Sequence, residues 1–169
     1  MEWRWGIIMK RAVALLMFCL VFAVSAVCSA RALPNSEFSL GGLCVGTGCT
    51  LDYAVSIYGE PEYVSSNGYS VTYRYGDSVI LKGWTGSDGT VHINYVSVRA
   101  ANGWGTPAGL TVGMKKSVAT ELYGYESSRY DRSTGLYKTL YPHMGSGAGA
   151  GMFVYTNGHD VIKRIDVIN

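Results

Sequence analysis

The sequence predicts an α+β fold built as two tandem copies of one unit, each a short helical lead followed by a three- to four-stranded antiparallel sheet. Three observations predict it: an internal repeat, a helix-period apolar stripe ahead of each run of strands, and Asp-Gly and Asn-Gly pairs between strand-like segments. In the repeat, Gly42-Leu43-x-Val45-Gly46 matches Gly109-Leu110-x-Val112-Gly113, and Ala54, Ile57 and Tyr58 match Ala119, Leu122 and Tyr123. Self-similarity at this spacing marks a duplicated supersecondary unit. The ends agree too, since residues 92–98 lie on 161–167, with Val96 on Ile165 and Val98 on Val167.

Each element has a local reason. Leu51, Ala54, Val55 and Tyr58 fall at i, i+3, i+4 and i+7, one face of a helix. Thr50 and Ser117 are placed to cap the two helices. Gly59 and Gly124 end them, and Pro61 prevents the first from resuming. Strands follow at 71–76, 78–84 and 91–98 in the first copy and at 136–142, 151–156 and 160–168 in the second. Ser87-Asp88-Gly89 and Asn157-Gly158 are the hairpin turns, because Asp, Asn and Gly tolerate positive φ. The division is therefore a first repeat at 33–100, a linker at 101–108 and a second repeat at 109–169. A unit of roughly 60 residues buries too little apolar surface to be comfortable alone, so the two are expected to join.

Residues 1–32 read as a signal peptide. An uncharged apolar run at 12–27 follows Lys10 and Arg11, and Ala30-Arg31-Ala32 fits an A-x-A cleavage site. Removing 32 of the 169 residues leaves 137, with ten basic and eleven acidic side chains, so the formal net charge moves from +2 to −1. That balance gives no support to nucleic-acid binding. Cys28 follows small residues and raises the alternative of a lipid anchor, which would be the chain's only tie to a membrane, although Val27 is a poor residue directly before such a cysteine. After cleavage two cysteines remain. Cys44 and Cys49, in a glycine-rich loop of an exported chain, read as a small disulfide, with a pair of free buried thiols as the alternative. The spacing is neither the redox C-x-x-C nor a zinc ligand set.

Chemistry is sparse. His92 lies in a strand, His143 follows Pro142, and His159 sits in a turn beside Asp160, where neighbouring side chains point apart. Glu60 and Glu62 flank Pro61 in a surface loop. The glycine-rich run 145–151 leads into a strand and has no lysine, unlike a phosphate loop. It reads as a hairpin loop, or as a strand start that lets another surface approach closely. No catalytic cluster, metal site or cofactor is expected.

Tyrosine is the informative excess: all 13 fall after residue 32. Tyr73 and Tyr75 alternate on one strand, Tyr137 and Tyr141 on another, and Trp84, Tyr95 and Tyr155 lie on neighbouring strands. On a wet sheet face these would form a rigid amphipathic contact surface. As half-buried strand formers they would be ordinary packing. The binding reading takes Tyr73, Tyr75, Trp84, Tyr95, Tyr141, Tyr155 and His159 as the contact residues, flanked by the hairpin loops, with another protein as the partner. A carbohydrate ligand would use the same aromatics.

The pattern G-L-x-V-G, V-x-x-x-Y-G-x-P, Y-x-Y-G, V-x-L and D-G-x-V-x-x-x-x-V resembles the repeat unit of beta-lactamase inhibitory protein and of the small SmpA/OmlA-type lipoproteins. The resemblance spans about residues 38–169. The export signal, the tandem repeat, the tyrosine load and the lack of a catalytic cluster read as an exported, non-enzymatic binding module of the bacterial cell envelope or exterior; the resemblance implies a helical lead and antiparallel sheet in each unit. It also implies a narrower alternative, an inhibitor of a secreted or periplasmic enzyme such as a β-lactamase. This chain departs from the lipoproteins in carrying two units. Intact-mass analysis of the exported protein is expected to give a chain beginning at Leu33; a species acylated at Cys28 would instead establish the lipid anchor.

Overall fold

The computed structural model describes residues 32–144 and 150–169. The export leader, Cys28 and positions 145–149 of the glycine-rich run lie outside the described residues. A 3-10 turn at Asn35–Glu37 leads into a small hairpin of β1 (Ser39–Leu40) and β2 (Leu43–Cys44). Helix α1 (Leu51–Tyr58) precedes β3 (Tyr63–Ser66), β4 (Ser70–Tyr75), β5 (Val79–Thr85) and β6 (Val91–Val98). Helix α2 (Lys116–Tyr123) precedes β7 (Ser128–Asp131), β8 (Leu136–Pro142), β9 (Gly151–Thr156) and β10 (Ile162–Ile168). Strands β3 to β10 form one antiparallel sheet in the order β3-β4-β5-β6-β10-β9-β8-β7. The fold is α+β, mostly antiparallel sheet with two helices.

The helices sit where the sequence puts them, but they start differently. The Thr50 hydroxyl accepts the Tyr53 N–H at 3.1 Å, the expected cap. Ser117 does not cap α2. The helix begins two residues earlier than such a cap would place it, Lys115 is the cap residue without a side-chain bond, and the Lys116 N–H donates to the Asp160 carbonyl at 2.8 Å. A neighbouring hairpin turn thus satisfies one of the first-turn N–H groups that the helix itself leaves open. Gly59 and Gly124 close the helices at φ 79° and 88°, a region closed to most side chains.

The core lies between the helices and one face of the sheet. Alternation places Val79 and Leu81 of β5, Val96 and Val98 of β6, Ile165 and Val167 of β10, and Met152 and Val154 of β9 on that face. All are essentially inaccessible, and Leu51, Ala54, Ala119 and Tyr123 of the helices pack on them. Leu33, Phe38, Leu40 and Leu43 of the N-terminal segment join the same cluster. The stretch expected as a plain linker is also built in. Trp104 stacks on Tyr58 with ring centroids 4.2 Å apart, and the buried Thr106 hydroxyl bonds the Tyr123 hydroxyl at 2.6 Å.

Cys44 and Cys49 form the disulfide, and their loop is tied to β6 by Gly46 N–H to Ile93 O (2.7 Å) and Ile93 N–H to Cys49 O (2.9 Å). In the 157–161 turn the positive φ falls on Asp160 (56°) rather than on the Asn157-Gly158 pair. Asn157 Oδ1 instead accepts the His159 and Val161 N–H groups at 3.1 and 3.0 Å, an Asx-type closure. Gly151 opens β9 beneath β8: a Cβ there would lie 2.6 Å from Leu140 Cδ1 and 2.8 Å from the Tyr141 carbonyl, the close approach that glycine permits. Strands β3 and β7, the two sheet edges, have no counterpart in the sequence reading, because Tyr-Val-Ser-Ser and Ser-Arg-Tyr-Asp carry no buried alternation.

Truncating Ile165 to Ala is expected to cost ~2–5 kcal/mol, against about 1 kcal/mol for Thr50→Ala. Reducing the disulfide, which closes a loop with a sequence separation of 5, should cost about 2 kcal/mol. Urea unfolding followed by circular dichroism measures all three. Equal costs for Ile165→Ala and Thr50→Ala would mean that the centre of the sheet is not the core.

Candidate binding face

The face of the sheet opposite the helices carries the side chains that alternate with the core positions. Directly opposed residues run Tyr63–Arg74–Ile80–Ser97–Asp166–Phe153–Leu140 across seven strands. A second row runs Thr72–Lys82–Tyr95–Ile168 and a third Arg164–Tyr155–Lys138–Arg129. Cations and rings interleave throughout. Lys138 Nζ stands 3.8 Å from the Phe153 ring centroid and Arg164 Cζ 4.6 Å from that of Tyr155. Lys82 lies 5.2 Å over Tyr95 and Arg74 5.7 Å over Tyr63, all within cation–π range. Ile80, Phe153 and Tyr155 are buried here although they stand outside the helix-side core. The charged heads of Lys138 and Arg164 lie over the Phe153 and Tyr155 rings.

Asp166 anchors this layer. Its side chain is 1% exposed and accepts both Arg164 Nε (2.7 Å) and an Arg164 terminal nitrogen. Arg164 also donates to the Tyr95 hydroxyl at 2.7 Å, so β6 and β10 are joined by side chains as well as by backbone. Burial works against the arginine charge, but the Asp166 bonds outweigh it and hold the guanidinium pKa above its ordinary value. Burial first, then the Asp166 charge, pushes the Tyr155 hydroxyl up to about 12. Beside this pair lies a trough of about 320 Å³ lined by Tyr63, Arg74, Lys82, Tyr95, Arg99 and Arg164 among others.

The expected contact residues divide between the two faces. Trp84 (41% exposed), Tyr95 and Tyr155 are on the open face, with Trp84 stacked on His92 at 5.1 Å. Tyr73, Tyr75 and Tyr141 are not. Their register partners Leu81, Val79 and Met152 point into the core, and Tyr141 is 0% exposed. Burial drives the Tyr141 hydroxyl up to about 12 and raises Tyr73 and Tyr75 as well. These tyrosines are packing, the outcome predicted for half-buried strand formers. His159 is exposed but lies beside Lys115, Lys116 and Tyr125 at the start of α2, and its carbonyl accepts Lys115 Nζ at 3.0 Å. The two hairpin loops do not converge: β6 and β10 are antiparallel, so Ser87–Gly89 and Asn157–Asp160 bracket the sheet from opposite ends. Sequence reasoning missed Arg74, Lys82, Lys138 and Arg164. Part of their signal was present, since Arg74, Lys82 and Lys138 alternate with residues on the core side of their strands, whereas Arg164 follows the exposed Lys163 at an irregularity in β10.

The three histidines are dispersed, and among the described residues no group of three His, Cys, Asp or Glu side chains is placed to hold a metal. His143 bonds Asn35 and stacks on Phe38 with centroids 3.8 Å apart, so it fastens the N-terminal segment to the end of β8.

No family model matches the chain, and no curated protein matches it. Two solved structures are similar. A DUF4309 family protein, YjgB, from Bacillus subtilis aligns over 75% of this chain and 82% of its own, at 14% identity and a TM-score of 0.44. A cysteine-rich secretory protein, SAV1118, from Staphylococcus aureus aligns over 83% of this chain and 50% of its own, at 11% identity and a TM-score of 0.48.

Alkaline pH should expose the buried tyrosines. Tyr141 and Tyr155 ionise near 12 in the folded chain but near 10 once unfolded, so the unfolded state loses their protons first. Their contribution to stability is complete below pH 10 and is lost as pH rises from about 10 to 12. Tyrosinate absorbance followed alongside circular dichroism tests this: the late-titrating tyrosines should appear together with unfolding. In the same layer, Arg164→Ala should cost about 3 kcal/mol or more by leaving Asp166 buried and unpaired. The double change Arg164→Met, Asp166→Leu should cost less, as read by urea midpoints.

Proposed function

We propose that this protein is an exported, non-enzymatic binding module that captures another protein on its open sheet face. The observation that carries the reading is that face itself, a ring-and-cation surface left uncovered by the helices. Tyr63, Tyr95 and Trp84 are rigid amphipathic anchors, and tyrosine, tryptophan and arginine dominate binding hot spots. The apolar run at 12–27 and the A-x-A site support export, and the Cys44–Cys49 bridge suits an oxidising compartment.

The tandem organisation belongs to the same proposal. If 92–98 is equivalent to 161–167, a two-fold axis between β6 and β10 requires Val96 to pair with Val167 and Val98 with Ile165. Both pairs occur in the register. The strand order is also mirrored about that axis. Two units thus supply one face that neither would span alone.

The test is capture from cell-envelope and culture-medium extracts on the immobilised protein. A partner held by the natural sequence should be lost, by at least about tenfold in affinity, with Tyr63→Ala and Tyr95→Ala together, as expected for hot-spot residues. It should be retained with Tyr53→Ala and Ile57→Ala, which lie exposed on α1. Retention by both variants would rule the open face out. The narrower reading, inhibition of a secreted hydrolase such as a β-lactamase, predicts dose-dependent loss of hydrolysis when the purified protein is added.

A further inference from the structure

We propose that the open face recognises a carboxylate-rich protein surface, an inference that rests on the binding-module reading and names its partner's chemistry. The charge on the chain is sharply sorted. Of ten basic residues after position 32, six (Arg74, Lys82, Arg99, Arg129, Lys138 and Arg164) stand on this face, in a segment whose formal net charge is −1. Of the acidic residues, Asp166 and Asp131 stand within the sheet on this face and both are engaged, while Glu62 and Asp77 line a pocket with Tyr63 and Arg74 at its β3–β4 end. Asp166 is buried against Arg164, and Asp131 accepts the Ser133 N–H and hydroxyl at 2.9 and 2.7 Å.

The cations are not balanced against one another. Lys138 is directly opposite Arg129, a like-charge cross-strand pair that costs stability. Arg99 Nε donates to the Ser97 hydroxyl at 3.4 Å, and Arg99 lines the same trough as Arg74, Lys82 and Arg164. Adjacent strands are about 4.8 Å apart, so these heads form a grid on the scale of neighbouring carboxylates on another protein. Arginine binds a carboxylate through two parallel N–H bonds, and Ser65 and Thr72 add hydroxyls to the lining of the trough.

The rings decide between anion classes. Binding single-stranded nucleic acid by stacking needs free ring faces. Here Lys138, Arg164, Lys82 and Arg74 stand over Phe153, Tyr155, Tyr95 and Tyr63. Insertion into a lipid surface needs protruding apolar side chains. Ile80 and Phe153 are instead buried, and the exposed apolar side chains of this face, Trp84 and Leu140, lie on strands four places apart and make no contiguous apolar patch. An acidic protein segment lies on such a surface without displacing a cation from its ring.

The experiment is NMR titration of the protein with an oligo-glutamate peptide, with oligothymidylate and anionic phospholipid vesicles as competing probes. Oligo-glutamate should shift Lys82, Tyr95, Arg99 and Arg164 and weaken with salt. Its affinity should fall at least about tenfold in the double variant Arg74→Glu, Lys82→Glu and stay unchanged in Lys115→Glu, Lys116→Glu. Shifts confined to the Lys115–Lys116 region, absence of binding, or tighter binding of oligothymidylate or vesicles at the same residues would each overturn the proposal. Failure here is separable from failure of the binding module. If captured protein is lost with Tyr63→Ala, Tyr95→Ala but kept with Arg74→Glu, Lys82→Glu, the face binds and the acidic partner is wrong.

Discussion

The pairing of β6 with β10 is the constraint on which the rest of the molecule depends. Four residue pairs, from Ile165–Val98 to Ile168–Tyr95, turn two short antiparallel runs into one sheet of eight strands. Each run alone would present a narrow apolar face with little to cover it. Joined, they put Val79, Leu81, Val96, Val98, Ile165, Val167, Val154 and Met152 under a common layer of helices and connecting segments. The helices have eight residues each, too short to hold their form in isolation. Their stability comes from Leu51, Ala54, Ala119 and Tyr123 resting on that seam.

The same pairing sets the opposite face. Strand alternation ensures that a residue next to a core valine or isoleucine points the other way. Arg164 and Asp166 flank Ile165, and Lys82 follows Leu81. The open face is therefore a by-product of the core's register, and a slip of one residue would bury its cations. The Arg164–Asp166–Tyr95 cluster fixes that register chemically, because a buried carboxylate must keep its partners.

Much of this was legible in the sequence. The helices showed in the spacing of Leu51, Ala54 and Tyr58, their ends in Gly59 and Gly124, and β6, β8 and β9 in residues 91–98, 136–142 and 151–156. The edge strands β3 and β7 were not, because an exposed strand paired on one side only leaves no apolar alternation to read. The direction of the tyrosines was not legible either. Tyr73 and Arg74 are equally good strand residues, and only the neighbouring register shows that the tyrosine faces in. Ser117 lies inside the helix rather than at its cap, because α2 starts at Lys116, whose N–H is held by the Asp160 carbonyl, a tertiary contact invisible to local rules.

The position of β10 also governs the order in which the chain can become a protein. It is the last of the sheet's strands to be synthesised, yet it fills the middle, between β6 and β9. As the chain emerges, β3 to β6 can pair as they appear and so can β7 to β9, but the two halves have no common boundary until residues 162–168 arrive. Until then β6 and β9 each expose an unpaired edge lined with valine and methionine, the kind of surface on which partly made chains associate. Assembly is thus completed by a closing strand, and the finished sheet keeps as its free edges only the two short polar strands, β3 and β7.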